Sequence, residues 1–378
     1  MQHFYKIILL FIFFANSIAY SKNTHILDKN ESYLITEINV TGNKITKATV
    51  IFRELSFKKN DLITIDEIDS KIQSSRYNLT NLNLFNFITI EYEITDENIK
   101  FFIEVVERWY VWPYPIFEIS ERNFNVWWQD FEASNYKDLS RLNYGVFLNI
   151  ENFRGLNELL MIKFRKGFKE HYMLRFETPY LRKSKKIGLN THIEFFRRKK
   201  TYYKTERNQL IYFENQENNY SSNEFLFDFE LVYKNNLNTK HKINLNYHQI
   251  KIDNEISMLN PNYILSKDEN SSKDYFYKIS YQYILEKRNN NIYPNKGHYL
   301  DFEIGRNFSP NINHIEFNSH VEKHFSLNNS LFFGSSLKTR ITNSSQQAYY
   351  SAQTLGFDDY VRGYEFYVID GENFYLSK

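Results

Sequence analysis

Few residues in this chain have the type and spacing that chemistry requires. His314, His320 and His324 are separated by even numbers of residues, so a strand would carry all three imidazoles on one face, where they could hold a metal ion. Ordinary polar residues on a hydrated strand face explain the same spacing, and we favour that interpretation. No Gly-x-Ser-x-Gly elbow, phosphate-binding loop or dinucleotide fingerprint occurs in the sequence. We therefore expect no enzyme activity, no cofactor and no metal site.

The composition narrows the remaining classes of protein. The 378 residues include 47 basic and 45 acidic side chains and no cysteine. This near balance of charge gives no electrostatic reason to expect a nucleic acid partner. Without cysteine the chain forms neither a disulfide nor a thiolate metal site. Aromatic residues make up 18% of the chain beside only 11 glycines and 6 prolines, which favours a mostly β structure.

The N-terminal segment has the layout of a secretory signal peptide. Lys6 precedes an apolar run from Ile7 to Ala15, and Ser17-Ile18-Ala19 offers a cleavage site of small residues. A membrane anchor is the alternative, but a helix that crosses a bilayer needs about 20 apolar residues. We expect a signal peptide over residues 1–19 and a linker over residues 20–32.

Residues 33–108 alternate between strand and helix patterns. Gly42-Asn43 is a turn pair, Thr46 is predicted to cap the first helix, and Thr64 with Glu67 forms a capping box for the second. The predicted elements are a strand, two helices and a hairpin, in the order Tyr33–Val40, Lys47–Leu55, the helix that begins at Ile65, Ile88–Ile94 and Lys100–Val106. This pattern predicts a small α+β domain.

Long amphipathic strands dominate the chain after Arg141. Many alternate over nine to fourteen residues, whereas strands of soluble proteins average five or six. Their polar faces carry charged residues, as a hydrated lumen requires, so a transmembrane barrel is favoured over a soluble sandwich. Eleven strands are predicted, near 142–150, 157–165, 171–179, 187–195, 208–215, 225–233, 240–252, 275–285, 297–307, 312–326 and 329–341. The preceding residues 109–140 form an aromatic-rich connector with all four tryptophans, at the level of a membrane interface.

Several motifs resemble those of one protein family. Residues 33–108 resemble a POTRA domain. Further along, three motifs are similar in order and spacing to those of the BamA/TamA family of outer-membrane assembly proteins. They are a barrel-start motif with Asn152, Gly155 and Pro179, a hairpin motif with Pro294 and Gly297, and the loop motif Val361-Arg362-Gly363-Tyr364.

This resemblance implies a fold, a location and a function. The loop motif would fold back into the barrel, where Arg362 pairs with carboxylates of later strands and Gly363 permits a conformation that a Cβ would obstruct. The POTRA-like domain would face the periplasm and receive unfolded client proteins, with possible accessory assembly proteins, while the barrel contacts outer-membrane lipid. Clients would pass a lateral seam on the first strand of the barrel, formed by Leu142, Tyr144, Val146, Leu148 and Ile150.

The chain departs from the family in two respects, a single POTRA-like domain where the best-known members have several, and the number of barrel strands. Sixteen strands are expected, but residues 141–378 provide about eleven or twelve, so we expect a fragment or a premature stop and an incomplete antiparallel barrel. The carboxylate partners of Arg362 would then lie beyond Lys378. Two alternatives stay open: an outer-membrane porin or solute channel, and a dedicated translocator of one secreted partner.

Overall fold

The chain forms a small α+β domain followed by one large antiparallel sheet. The computed structural model describes residues 32–120, 124–181, 186–215, 219–236, 238–265, 272–328, 330–344, 347–357, 359, 361–364 and 367–378. The predicted signal peptide and, apart from Ser32, the predicted linker lie outside these residues. Among the described residues, no helix has both the length and the apolar character of a membrane span.

The small domain is a four-stranded sheet covered by two helices. Strand β1 (Ser32–Thr41) runs parallel to β4 (Asn98–Glu107), and with β2 (Leu62–Thr64) and β3 (Phe85–Thr95) they form a sheet of order β2-β1-β4-β3. Ile35, Ile51, Ile68 and Phe101 are buried between sheet and helices. The elements are β1 (Ser32–Thr41), α1 (Ala48–Glu54), β2 (Leu62–Thr64), α2 (Ile65–Asn81), β3 (Phe85–Thr95) and β4 (Asn98–Glu107). The predicted order is confirmed, with β2 added because three residues give no readable period.

The two predicted helix starts have different outcomes. Glu67 Oε2 accepts a hydrogen bond from the Thr64 backbone N–H at 3.4 Å, as the capping box requires. Thr46, however, does not cap α1, because the N-cap residue is Lys47 and makes no side-chain capping bond. The Thr46 hydroxyl instead forms hydrogen bonds with Tyr110 and Asn152.

Twelve strands form the large sheet, and every neighbouring pair is antiparallel. All of its strands except the last have nine to fourteen residues, a length suited to crossing a bilayer at a tilt. They are β5 (Val111–Ile119), β6 (Leu142–Phe153), β7 (Glu158–Gly167), β8 (Lys169–Thr178), β9 (Ile187–Arg198), β12 (Ser222–Lys234), β13 (Thr239–Ile252), β14 (Lys273–Glu286), β15 (Gly297–Phe308), β16 (Asn313–Ser326), β17 (Phe332–Thr342) and β20 (Phe374–Ser377).

The two faces of this sheet differ in chemistry. On β14 the outward side chains of Tyr277, Ile279 and Tyr281 are nearly half exposed. On the opposite face Lys278 Nζ lies 3.0 Å from Glu303 and 3.2 Å from Glu316. A sandwich would bury the apolar face, so the structure agrees with the predicted incomplete barrel and its polar inner wall.

The structure differs from the sequence prediction at β5 and at residues 208–215. Strand β5 lies inside the predicted connector and belongs to the large sheet, so β6 is an interior strand rather than the first one. Pro113 and Pro115 hide β5 from pattern reading, because proline is expected only in edge strands. The predicted strand 208–215 is β11 (Gln209–Glu214), which pairs with β10 (Lys200–Glu206) in a separate hairpin.

The connections differ between the two ends of the sheet. We call the end beside the small domain proximal and the other end distal. The distal end carries α3 (Phe124–Ala133), the β10–β11 hairpin, α4 (Asn254–Leu259), β18 (Gln353–Leu355) and β19 (Ile369–Asp370). There Ile250, Ile256, Tyr263, Ala348 and Tyr350 form a second buried core. Longer connections at one end are typical of outer-membrane barrels.

Candidate functional site

A hydrogen-bonded junction joins the small domain to the sheet. Thr46 Oγ1 lies 3.1 Å from the Tyr110 hydroxyl and accepts a bond from Asn152 Nδ2 at 2.8 Å. The Tyr110 hydroxyl also donates to the Leu84 carbonyl at 2.8 Å. Burial raises the pKa of Tyr110 above its ordinary value. Because all three bonds are buried, they fix the junction in one geometry.

The turn after β6 docks directly onto the small domain. The Lys47 N–H donates to the Gly155 carbonyl at 2.9 Å. Gly155 has φ +75, and a Cβ there would lie 2.1 Å from the Ile45 carbonyl oxygen. Arg108 and Glu151 form an ion pair beside this turn. The structure thus brings the predicted Asn152 and Gly155 together at the domain junction.

The other barrel-start residue, Pro179, lies in the proximal turn after β8. Its neighbour Tyr180 receives the Arg53 guanidinium at 3.7 Å and the Lys234 ammonium at 4.3 Å from the ring centroid. These contacts link α1 to the proximal rim of the sheet through cation–π attraction.

The remaining proximal motifs form turns. Gly42 and Asn43 follow β1, and Asn43 Nδ2 donates to the Thr46 carbonyl at 2.9 Å. Pro294 lies in the turn that precedes β15, and Gly297 is the first residue of β15. Both motifs therefore lie at the proximal end, one on each side of the junction between domain and sheet.

The predicted loop motif lies at the distal end, between β18 and β19. Arg362, Gly363 and Tyr364 are exposed, and a Cβ on Gly363 would meet no atom within 4 Å. Gly363 has φ +86, so backbone conformation and not crowding requires glycine. Among the described residues Arg362 has no ion pair, and its predicted pairing stays a prediction. Val361, the first residue of the motif, is half buried.

An acidic residue of the same loop contacts the inner wall instead. Asp359 Oδ1 accepts a bond from Lys338 Nζ on β17 at 2.5 Å. Nearby, Thr205 Oγ1 donates to Asp370 Oδ1 at 2.8 Å. These contacts attach the loop to β17 and to the β10–β11 hairpin.

Of the three histidines of β16, His320 and His324 share Glu322 as a neighbour, whereas His314 contacts Asn307. His314 Nε2 lies 3.0 Å from Asn307, His320 Nε2 lies 2.9 Å from Glu322, and His324 Nε2 lies 3.1 Å from the other oxygen of Glu322. Across the described ranges, no group of three or more possible ligands converges on a metal-sized space.

Strand β5 leaves one edge unpaired within the described part of the chain. Ser120 donates to the Arg141 carbonyl at 2.9 Å and Glu151 donates to the Tyr110 carbonyl at 2.8 Å. The main-chain N–H and C=O groups of the even-numbered residues of β5 therefore point toward β6. Those of the odd-numbered residues point away from β6, toward the open edge of the sheet. Pro113 and Pro115 are among the odd-numbered residues and have no N–H to offer.

A tryptophan side chain occupies one more main-chain hydrogen-bonding group of this edge. The Trp109 indole N–H donates to the Val111 carbonyl, which points toward the open side. Near the small domain this edge therefore offers only the Val111 N–H and the carbonyls of Pro113 and Pro115. At the distal end, Phe117 and Ile119 still present both an N–H and a carbonyl. Only the distal part of β5 can form a full ladder with another strand.

The small domain has a long edge strand as well. Strand β3 has eleven residues and pairs only with β4 among the described strands. Its Phe87 and Tyr92 are 71% and 43% exposed. Exposed edge strands of this kind accept added strands from other chains.

Sequence reasoning missed several residues of the junction and the edge. Glu107 and Tyr110 belong to no motif that the sequence analysis used, Thr46 was predicted as a helix cap, and Trp109 was predicted only as part of the aromatic connector. Glu107 accepts from the Thr46 N–H at 2.6 Å, a contact between residues 61 positions apart. In the sequence, the signal for this junction and edge was the adjacent pair Trp109 and Tyr110, which lies between β4 and the prolines Pro113 and Pro115.

Comparison with known proteins gives family matches over most of the described chain. Residues 152–372 match the family model described as the Omp85 superfamily domain. Residues 33–108 match the POTRA model, described as surface antigen variable number repeat. The chain is 36% identical over 86 residues to the outer membrane protein assembly factor BamA of Neorickettsia risticii, which covers 22% of this chain and 11% of that protein.

Solved structures give a likeness of fold at low identity. CdiB from Escherichia coli is 11% identical with a TM-score of 0.51, and the match covers 91% of this chain and 60% of that one. BamA from Haemophilus ducreyi lacking POTRA domains 1–3 is 13% identical with a TM-score of 0.47, with coverage of 90% and 60%. The chain thus spans less than two thirds of the length of these proteins.

Proposed function

The chain belongs to the Omp85 superfamily, and from that premise we propose that it is an outer-membrane assembly or translocation factor. Its POTRA-like domain faces the periplasm and receives unfolded client polypeptides. Its sheet forms part of a barrel wall that inserts the client into the membrane or passes it across. Membership in this superfamily agrees with the expectation that the chain is not an enzyme.

The observation that carries this proposal is a pair of open strand edges whose relative orientation is fixed by the domain junction. Strand β3 of the small domain and strand β5 of the large sheet each expose main-chain groups to an extended client. The junction around Thr46, Tyr110 and Asn152 holds the two sheets in a set orientation. A client bound at β3 is therefore delivered toward the same side of the sheet each time.

The seam of the barrel is proposed at β5 instead of β6. Main-chain bonds to β5 are complete only near Phe117 and Ile119, so a partner strand is held firmly at the distal end. Near Pro113 and Pro115 the same strand is held by fewer bonds, and the seam opens first on the periplasmic side. This places the opening beside the domain that receives the client.

Depletion of the full-length protein in its own host tests the function. We expect the amounts of most outer-membrane barrels, measured by quantitative proteomics of the isolated membrane, to fall together. Loss of a single secreted or surface protein would instead support the dedicated translocator. Unchanged barrels with altered solute uptake would replace this proposal by the channel, for which the polar inner wall around Lys278 and Glu316 is the supporting observation.

A further inference from the structure

A cleft of about 610 Å³ lies between the small domain and the proximal rim of the sheet. Its volume falls within the range of about 300–1,000 Å³ that is usual for ligand sites. Five cationic side chains and two carboxylates line it, which leaves an excess of three positive charges. The cations are Arg53, Lys234, Lys240, Lys287 and Arg288, and the carboxylates are Glu54 and Glu286.

The two arginines of the cleft are already paired with carboxylates. Arg288 donates to Glu286 at 2.5 and 2.9 Å and to Glu322 at 2.7 Å. Arg53 Nε donates to Glu54 at 3.2 Å. The excess positive charge of the cleft therefore belongs to its three lysines.

Two of these lysines lie on the inner face of the wall at its proximal opening. Lys234 and Lys240 are half buried and directly opposite each other on β12 and β13, and like charges at such positions destabilise a sheet. The Lys234 ammonium lies against the Tyr180 ring, but within the described part of the chain neither lysine forms an ion pair. Two residues deeper on the same face, Lys242 Nζ lies 3.0 Å from Glu230. The wall thus neutralises a lysine in its interior and leaves two charged at its entrance.

The cleft also lies close to the strand edge that is proposed to receive the client. Leu82, at the end of α2, lines the cleft, and β3 begins three residues later at Phe85. A strand added along β3 therefore has one end near the lysines. Six asparagine side chains line the same cleft, and a carboxamide can both donate to and accept from a peptide main chain. This lining suits a polypeptide segment better than a compact ion.

We propose that this cleft receives an acidic stretch of the client polypeptide, whose carboxylates lie between Lys234 and Lys240. The inference rests on the proposed function and specifies the chemistry of its client. Bound carboxylates place attractive pairs where the two lysines otherwise repel each other, whereas a basic stretch adds repulsion at the same place. The cleft thus selects client segments by their charge at the entrance to the inner wall.

Peptide binding to the purified full-length protein in neutral detergent tests this selection. The probes are three short peptides, labelled with an uncharged dye, that differ only at alternate positions occupied by Asp, Asn or Lys. Binding is followed by fluorescence anisotropy. We expect the Asp peptide to bind more tightly than the Asn peptide by a factor of about 10 or more, because hydrogen bonds between charged groups are the stronger ones. The Lys peptide is expected to bind most weakly.

The other outcomes separate this inference from the proposed function. Equal affinities of the Asp and Asn peptides would overturn the charge selection and leave client reception at β3 intact. Absence of binding by all three peptides would overturn the inference and would also count against the proposed function. Complete displacement of the Asp peptide by an equal concentration of inorganic phosphate would assign the cleft to a small anion and overturn the inference.

Matched variants locate the binding. Lys234→Gln with Lys240→Gln is expected to remove the preference for the Asp peptide, whereas Lys234→Arg with Lys240→Arg retains it. The control is Lys251→Gln with Lys273→Gln, an exposed and directly opposed lysine pair at the distal ends of β13 and β14, which removes the same charge. Loss of the preference in this control would contradict the assignment. So would its persistence in the first double variant.

Discussion

Gly155 combines two constraints at a single position of the junction. Its φ of +75 disfavours any residue with a Cβ, and an added Cβ would lie 2.1 Å from the Ile45 carbonyl oxygen. Relief of that contact requires the turn after β6 to move away from the small domain. The bond from Lys47 to the Gly155 carbonyl would then lengthen or break.

Gly155→Ala is therefore expected to destabilise the junction by about 1–3 kcal/mol. The measurement is thermal unfolding, together with the rate of protease cleavage between Glu107 and Val111. Gly371→Ala is the matched control, because an added Cβ there meets its nearest atom at 3.6 Å. Equal stability and equal cleavage for both variants would show that the junction does not depend on this close approach.

The residues of the junction show what the sequence could and could not predict at this scale. Asn152 and Gly155 were identified through a motif, without their partners. Thr46 was predicted as a helix cap, which its position before α1 favours, but its hydroxyl bonds to Tyr110 and Asn152, 64 and 106 positions away. Contacts over such separations leave no periodic trace in a sequence.

Strand β5 determines how firmly the sheet can pair along its open edge. Pro113→Val with Pro115→Val adds two N–H donors that face outward. A partner strand gains up to two hydrogen bonds, each with a net value of about 0.5–1.5 kcal/mol. We expect slower hydrogen exchange along β5 and client insertion into phospholipid vesicles that is slower by a factor of roughly 5–150, following the same bond energies.

The control for this prediction is Pro310→Val in the turn between β15 and β16, away from any sheet edge. If wild-type protein already protects the Val111 amide as well as those of Phe117 and Ile119, the proposed weak half of the seam does not exist. If exchange changes as expected but insertion does not, β5 has the inferred edge and another element admits the client.

The tryptophans lie at the two ends of β5. Trp109 and Trp112 are proximal, whereas Trp127 and Trp128 lie on α3 at the distal end. Nine residues separate these ends by about 30 Å along a strand, close to the height of an apolar band crossed at a tilt. The sequence placed all four at one interface, because β5 was not recognised as a strand.

Single-tryptophan variants test this placement in bilayers. We expect Trp112 and Trp128, which are 39% and 43% exposed, to be quenched more by lipids brominated near the carbonyls than by lipids brominated near the chain ends. The buried Trp127, 7% exposed, serves as the internal comparison with weaker quenching. Strongest quenching of Trp128 by deep bromines would place α3 inside the bilayer and contradict this arrangement.

At the scale of the whole molecule, the loop that carries the motif is attached to the inner wall of the sheet by the ion pair between Asp359 and Lys338. Their ion pair is partly buried, so its loss is expected to release the loop from the inner wall. Asp359→Asn should increase the frequency of conducting openings several-fold in planar bilayers. The exchanged pair, Lys338→Asp with Asp359→Lys, should restore the wild-type record, and equal records for all three proteins would show that the loop is held by other contacts.

The strand pattern predicted most of the molecule but not its organisation at the distal end. Alternation identified β6 to β9 and β12 to β17, because each of these strands has one polar and one apolar face. The same alternation in 208–215 could not distinguish a wall strand from the β10–β11 hairpin. That difference depends on packing of Tyr263 and Tyr350 against residues far away in the chain.

The altered edge of β5 also matters before the protein reaches a membrane. On the route to the outer membrane that the proposed function implies, the chain would cross an aqueous compartment with its edge strands uncovered, and an unprotected edge there would capture a second copy of the same sequence and start an aggregate. Two missing donors and a carbonyl occupied by the Trp109 indole make half of that edge a poor template. The residues that loosen the proposed seam would thus also keep the molecule from pairing with itself on the way.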